Sequence, residues 1–85
     1  MRRIQFKMER PGKLTEGQEV IITEGTLPSN YFYSLGLEDD PFLAMSPNIP
    51  FIYRLKSKTG KVVSIEQNPR GYYVTAEFDE PEVPT

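Results

Sequence analysis

Apolar and polar residues alternate one by one at both ends of this chain, and that period commits it to β-structure. Ile4, Phe6 and Met8 alternate with Arg3, Gln5 and Lys7, and Tyr72, Val74, Ala76 and Phe78 alternate with Tyr73, Thr75 and Glu77. A strand sends successive side chains to opposite faces, so a period of two builds one buried and one solvated face, whereas a helix needs a spacing near 3.6. Gln18-Glu19-Val20-Ile21-Ile22-Thr23 carries three consecutive β-branched aliphatics and predicts another strand. Phe51, Tyr53 and Leu55 alternate with Ile52, Arg54 and Lys56, which predicts a strand there. A tight turn at Lys58-Thr59-Gly60-Lys61 would join it to a strand over Lys61–Glu66. Asn68-Pro69-Arg70-Gly71 reads as a type I turn, with proline presetting φ at its second position. Together, the last three strands form an expected antiparallel meander.

Residues 24–50 follow another rule. Pro28, Pro41, Pro47 and Pro50 punctuate them, and no single long strand runs through that density of residues lacking an N–H. Two short helical pieces are expected instead. Ser29 or Asn30 would cap Tyr31-Phe32-Tyr33-Ser34-Leu35, with Gly36 supplying a left-handed C-terminal residue. Asp40-Pro41 would open a second piece over Phe42-Leu43-Ala44-Met45.

The stretch from Gly60 to Asp79, a Gly-Lys-Val-Val-Ser-Ile strand leading through a polar turn into Tyr-Val-Thr-Ala-Glu-Phe-Asp, resembles the strand–turn–strand core of SH3-like small β-barrels. Residues 14–22, Leu-Thr-Glu-Gly-Gln-Glu-Val-Ile-Ile, look like the opening strand of the same barrels. The resemblance implies an architecture shared by translation factors, ribosomal proteins, enzyme subunits and peptide-binding adaptors, so it names no activity. The expected fold is therefore mainly β. It is a small SH3-like antiparallel barrel of about five strands over residues 1–79, with one or two short helical turns in residues 28–46. An acidic, proline-rich tail, residues 80–85, is expected to be disordered.

With 85 residues the chain makes one domain and has little apolar surface to spare for a deep internal cavity. It has no cysteine and no histidine, which removes thiolate chemistry, disulfides, cysteine zinc sites and the commonest general base. Arg2, Arg3 and Lys7 interrupt the opening residues before any signal-peptide core forms, and no apolar run approaches the ~20 residues of a membrane helix. The expectation is a cytoplasmic protein without a membrane partner.

Net charge is −2, yet the charges are segregated. Residues 1–16 carry five basic and two acidic side chains, residues 17–53 five acidic and no basic ones, residues 54–75 five basic groups against Glu66, and residues 76–85 only acidic ones. Antiparallel pairing of acidic with basic strands accounts for such a layout, since opposite charges facing across strands are stabilising. A basic face that meets an anionic partner is the other way to use it.

Two surfaces stand out. Tyr31, Phe32 and Tyr33 cannot all enter a small core, and with Phe42 and Met45 they mark the expected protein interface, for another protein or a second copy of the chain. Arg54, Lys56, Lys58, Lys61 and Arg70, with Tyr73 as a stacking ring, form the alternative, a surface for RNA or single-stranded DNA. Glu38-Asp39-Asp40 lacks calcium-ligand spacing, and Lys58-Thr59-Gly60-Lys61 lacks the upstream glycine of a phosphate loop. No nucleophile is paired with an activating base, so no catalytic residue, metal or cofactor is expected. The function expected is a non-catalytic protein-interaction module, an adaptor or small subunit.

Overall fold

The computed structural model describes residues 1–8 and 14–82. Seven strands follow in order: β1 (Arg2–Met8), β2 (Glu19–Thr26), β3 (Asn30–Leu37), β4 (Asp40–Met45), the two-residue β5 (Ile49–Pro50), β6 (Thr59–Asn68) and β7 (Gly71–Phe78), with one 3-10 turn at Phe51–Tyr53. β1 pairs along its whole length with β7, from Arg2↔Phe78 to Met8↔Tyr72, and joins β4 only through Lys7↔Met45 and Met8↔Ala44. The order β2-β6-β7-β1-β4-β3, together with the β2–β3 pairing, closes six antiparallel strands into a barrel, and β5 extends the β3 edge beyond β4.

The alternating segments behave as their period requires. Ile4, Phe6 and Met8 from β1, Val74, Ala76 and Phe78 from β7, Val20 from β2 and Val62 from β6 fill the interior. The Phe6 and Phe78 rings meet at 6.3 Å between centroids, tilted by 60°, within the range that aromatic pairs favour. β6 turns into β7 at residues 68–71, where Asn68 pairs with Gly71 and the Arg70 amide donates to Asn68 Oδ1 at 2.8 Å.

Four expectations are corrected. The helical pieces at 31–35 and 42–45 are strands β3 and β4. Helices this short are marginal, whereas β3 is bonded on both edges, to β2 on one side and to β4 and β5 on the other. The prolines sit at or beside strand ends, so they divide the segment into short strands without forbidding them. Gly36 is not a left-handed cap: a Cβ there would collide with the β4 backbone at Asp40 and Pro41, so glycine permits close approach of two strands.

The expected strand over Phe51–Lys56 is a 3-10 turn followed by an extended crossing outside any ladder, and residues 59–61 belong to β6 instead of a turn. The amides of residues 55–57 are bonded by side chains. The Leu55 amide donates to Tyr33 Oη at 2.7 Å, and the Lys56 and Ser57 amides donate to Glu80 Oε2 at 3.1 and 2.8 Å.

The start of the expected disordered tail is held in place by that same Glu80 and by Glu82, whose carboxylate accepts from the Arg3 amide at 3.1 Å. Residues 83–85 lie outside the described residues.

Gly36→Ala is expected to lower the unfolding free energy by about 1–3 kcal/mol, the usual cost of forcing a methyl into filled space. A urea titration reads this as a lower midpoint at unchanged slope. A midpoint equal to wild type would show that β3 and β4 do not approach as described.

Candidate functional site

β4 explains why an apolar surface faces outwards. Between the pairs Leu35↔Ala44 and Leu37↔Asp40, residues 41–43 of β4 stand opposite Gly36 alone. This bulge breaks the alternation. Phe42, which would otherwise share the inward side of Ala44, is 67% exposed, and Met45 is 52% exposed. Beside them run Gln5 and Lys7 on the outer side of β1 and Tyr73 on the outer side of β7, with Lys7 in register with both Met45 and Tyr73. The result is a groove of about 530 Å³ lined by Phe42, Leu43, Met45, Pro47 and Tyr73, in which Lys7 is the one charged group among the described residues.

The proposed aromatic interface is therefore split. Phe42 and Met45 share the groove. Tyr33 is a core residue, 1% exposed. Its hydroxyl donates to Glu24 Oε2 at 3.1 Å while accepting the Leu55 amide, and burial, with Glu24 adding to it, pushes its pKa up to about 12. Phe32 lies across its register partner Gly25. Tyr31 packs on Phe51 at 4.8 Å and under the Arg54 guanidinium at 5.0 Å, at the other end of β3 from the acidic turn.

The basic set is divided too. Arg54 is held by both oxygens of Glu24, at 2.9 and 3.0 Å. This ion pair, first through its hydrogen bond, holds the Glu24 carboxyl below the ordinary range against the opposing effect of burial. Lys56 and Lys58 line a second depression, of about 560 Å³, with Glu24, Arg54 and Ser57. Lys61 stands in register with Glu19 and Glu77. Arg70 sits at the far end of the ten-residue β6 from Lys58. Tyr73 belongs to the apolar groove.

The chain matches no family model, no curated protein and no solved structure.

The segregated charges find each other across the fold, as opposite charges on neighbouring strands do. Arg3 pairs with Glu77 at 3.1 Å, Arg54 with Glu24, and Arg2 with Glu80 at 3.2 Å. Burial pushes the Glu80 pKa up, but hydrogen bonds from the Ser57 hydroxyl and amide, from Arg2 and from the Lys56 amide outweigh it and leave the carboxyl below its ordinary range. Among the described residues, no group of His, Cys, Asp or Glu side chains is arranged to hold a metal ion, and no helix is long and apolar enough to cross a membrane.

Sequence reading missed Lys7, Leu43 and Pro47 as groove residues, and Phe51 and Ile52 as exposed apolar groups, the latter 81% accessible. Pro41 beside Gly36 is the one signal of the bulge, and it is legible only once β3 and β4 are known to pair.

Two consequences are measurable. Glu80, with a depressed folded pKa, contributes stability that is whole above its ordinary value of 4.5 and is lost as the pH falls through the lower folded value. Glu80→Gln is expected to remove about 1–3 kcal/mol at neutral pH and to flatten the acid limb of a stability–pH curve. An acid limb as steep as wild type would reassign the effect to other carboxylates. Tyr33→Phe leaves the Leu55 amide without its acceptor, and a loss of about 1–3 kcal/mol is expected in thermal or urea unfolding. A neutral result would mean that water replaces the phenol there.

Proposed function

We propose that the chain is a non-catalytic protein-interaction module, an adaptor or small subunit, that engages a partner protein through the groove between Phe42, Met45 and Tyr73. The observation that carries this reading is the exposure of Phe42 and Met45, 67% and 52%, on a concave outer face of a barrel whose interior is already filled. Apolar side chains grouped around a depression are the usual anchors of protein contacts. Lys7 in its lining favours a partner segment that joins an apolar anchor to a carboxylate.

Catalysis draws no support from the charged groups. Glu24 and Glu80 are committed to ion pairs that keep them ionised, so neither is poised to shuttle protons near neutral pH. The finer likeness to SH3-like barrels rests on β2 and the β6–β7 hairpin, and peptide-binding adaptors are one use of such barrels. That part of the reading is an analogy of architecture.

The test is selection of a displayed peptide library against the chain, followed by amide NMR titration with the enriched peptides. The expected peptides carry an apolar residue near Asp or Glu, and their shifts cluster at residues 5–7, 42–47 and 73. Met45→Asp is expected to weaken binding at least about tenfold without lowering the thermal midpoint, since the side chain is exposed. An empty selection, or shifts that avoid the groove, overturns the reading. Salt-sensitive shifts at residues 54–61 with a single-stranded oligonucleotide would favour the nucleic-acid alternative.

A further inference from the structure

The two edges of β1 are used very differently. On one edge it pairs with β7 from Arg2↔Phe78 to Met8↔Tyr72 in a constant register. On the other it pairs with β4 only at Lys7 and Met8. In an antiparallel ladder, alternate residues turn their N–H and C=O groups towards opposite edges. The Arg3 amide donates to Glu82 Oε1 at 3.1 Å, so Arg3 faces away from β7. The contact of 3.1 Å between Arg3 Nε and Glu77 Oε2 fits this, because side chains approach more closely across a pair that exchanges no backbone hydrogen bonds. Gln5 and Lys7, two and four residues further on, face the same way as Arg3.

Lys7 meets Met45 on that edge, and the next place in the same register, opposite Gln5, falls to Pro47. Proline has no N–H to give, and the Pro47 carbonyl accepts the Ser46 hydroxyl at 2.9 Å. The chain then slips by one residue along β3, from Ser34↔Met45 to Tyr31↔Ile49, and Pro50 again lacks an N–H. Among the described residues, the N–H and C=O of Gln5 and the C=O of Arg3 have no backbone partner on this edge.

The barrel wall is therefore unbonded along this seam. Gln5 and Pro47 border the Phe42–Met45 groove, and Arg3 and Ile4 face Asn48, Ile49 and Pro50 across a second cavity of about 350 Å³. Glu82 lines that second cavity, is exposed, and supplies the acceptor for the Arg3 amide.

We infer that the free edge of β1 at Arg3–Gln5 is a strand-addition site, where an extended segment of a partner protein pairs with β1 and displaces Glu82. The inference rests on the reading of the Phe42–Met45 groove as a protein interface and states how the partner engages it. Carbonyls of the segment take the Arg3 and Gln5 amides, and its own amides donate to the Arg3 and Gln5 carbonyls. Directly paired residues share one face of a sheet. Lys7 and Met45 are such a pair on the outer face, so the partner residue opposite Gln5 also points outwards, beside the groove, and is the apolar anchor. Backbone pairing supplies affinity, and the groove supplies the preference for that anchor. In the free chain the Glu82 carboxylate covers the Arg3 amide, which guards an open edge against unselective pairing.

Hydrogen exchange on the free full chain tests the edge itself. The Gln5 amide is expected to exchange at least about tenfold faster than the amides of Ile4 and Phe6, which the alternation turns towards β7. Protection of Gln5 equal to theirs would mean a closed edge and overturns the site.

Peptides from the displayed-library selection test the pairing, each remade with single N-methylated residues. A loss of about tenfold or more is expected at alternate positions and little change between them, because a strand turns only every second amide towards one neighbour. Gln5 is expected to become protected in the complex. Glu82→Ala, at an exposed side chain, is expected to bind the peptides about threefold more tightly or better, since no carboxylate competes for the Arg3 amide. Peptides that bind the groove without this alternation, or leave Gln5 exchanging freely, overturn strand addition and leave the protein-interface reading standing. Unchanged or weaker binding by Glu82→Ala overturns the displacement of Glu82. An empty selection removes both readings.

Discussion

Arg2 stands on the inward side of β1, in step with Ile4, Phe6 and Met8, so its guanidinium is buried at the mouth of the barrel and has to be paired there. An uncompensated buried charge costs several kcal/mol, and the neighbouring structure is arranged around avoiding that cost. Nη2 donates to the Tyr53 carbonyl at 2.7 Å and Nη1 to Glu80. Glu80 in turn takes the amides of Lys56 and Ser57. One buried cation thus ties together the start of the chain, the crossing after the 3-10 turn and the residues that follow β7. The crossing is the covalent bridge between the β2–β5 strands and the β6–β7 hairpin. The amides of Leu55, Lys56 and Ser57 have no ladder, and Tyr33 and Glu80 satisfy them instead.

The same interactions account for the segregated charges. Basic residues of β1 meet acidic ones in and just after β7 because β1 and β7 pair along their whole length. The acidic stretch containing Glu24 meets the basic stretch containing Arg54 because the crossing passes β2 on its way to β6. Local neutralisation also explains why the basic residues do not collect into one surface: Arg54 is consumed by Glu24, Lys61 sits between acidic register partners, and β6 carries Arg70 to the opposite end of the molecule.

The inward faces of β1 and β7, the core of β2, and the turn at residues 68–71 were legible, because a period of two and a proline–glycine turn are local properties that tertiary context reinforced. The segment 29–45 was misread because capping residues and prolines are equally local, and nothing local reveals that β3 will find partners on both edges. Of the candidate interface, Phe42 and Met45 share a groove, while Tyr33, its neighbour in composition, became the phenol that satisfies the crossing. Whether an aromatic residue faces in or out depends on strand register, and register in β4 is set by the bulge opposite Gly36.

By itself the sequence determined that the chain is β-rich, which residues of its terminal strands face inward, where the β6–β7 hairpin turns, and that no histidine or cysteine chemistry is available. Those properties follow from side-chain identity and spacing along the chain. Only the tertiary structure decided the six-strand closure, the conversion of residues 30–45 to strands, the docking of Glu80 and the outward turn of Phe42. Each of these depends on pairing between residues distant in sequence, where a backbone amide or a buried charge takes whichever partner the closed barrel brings within reach.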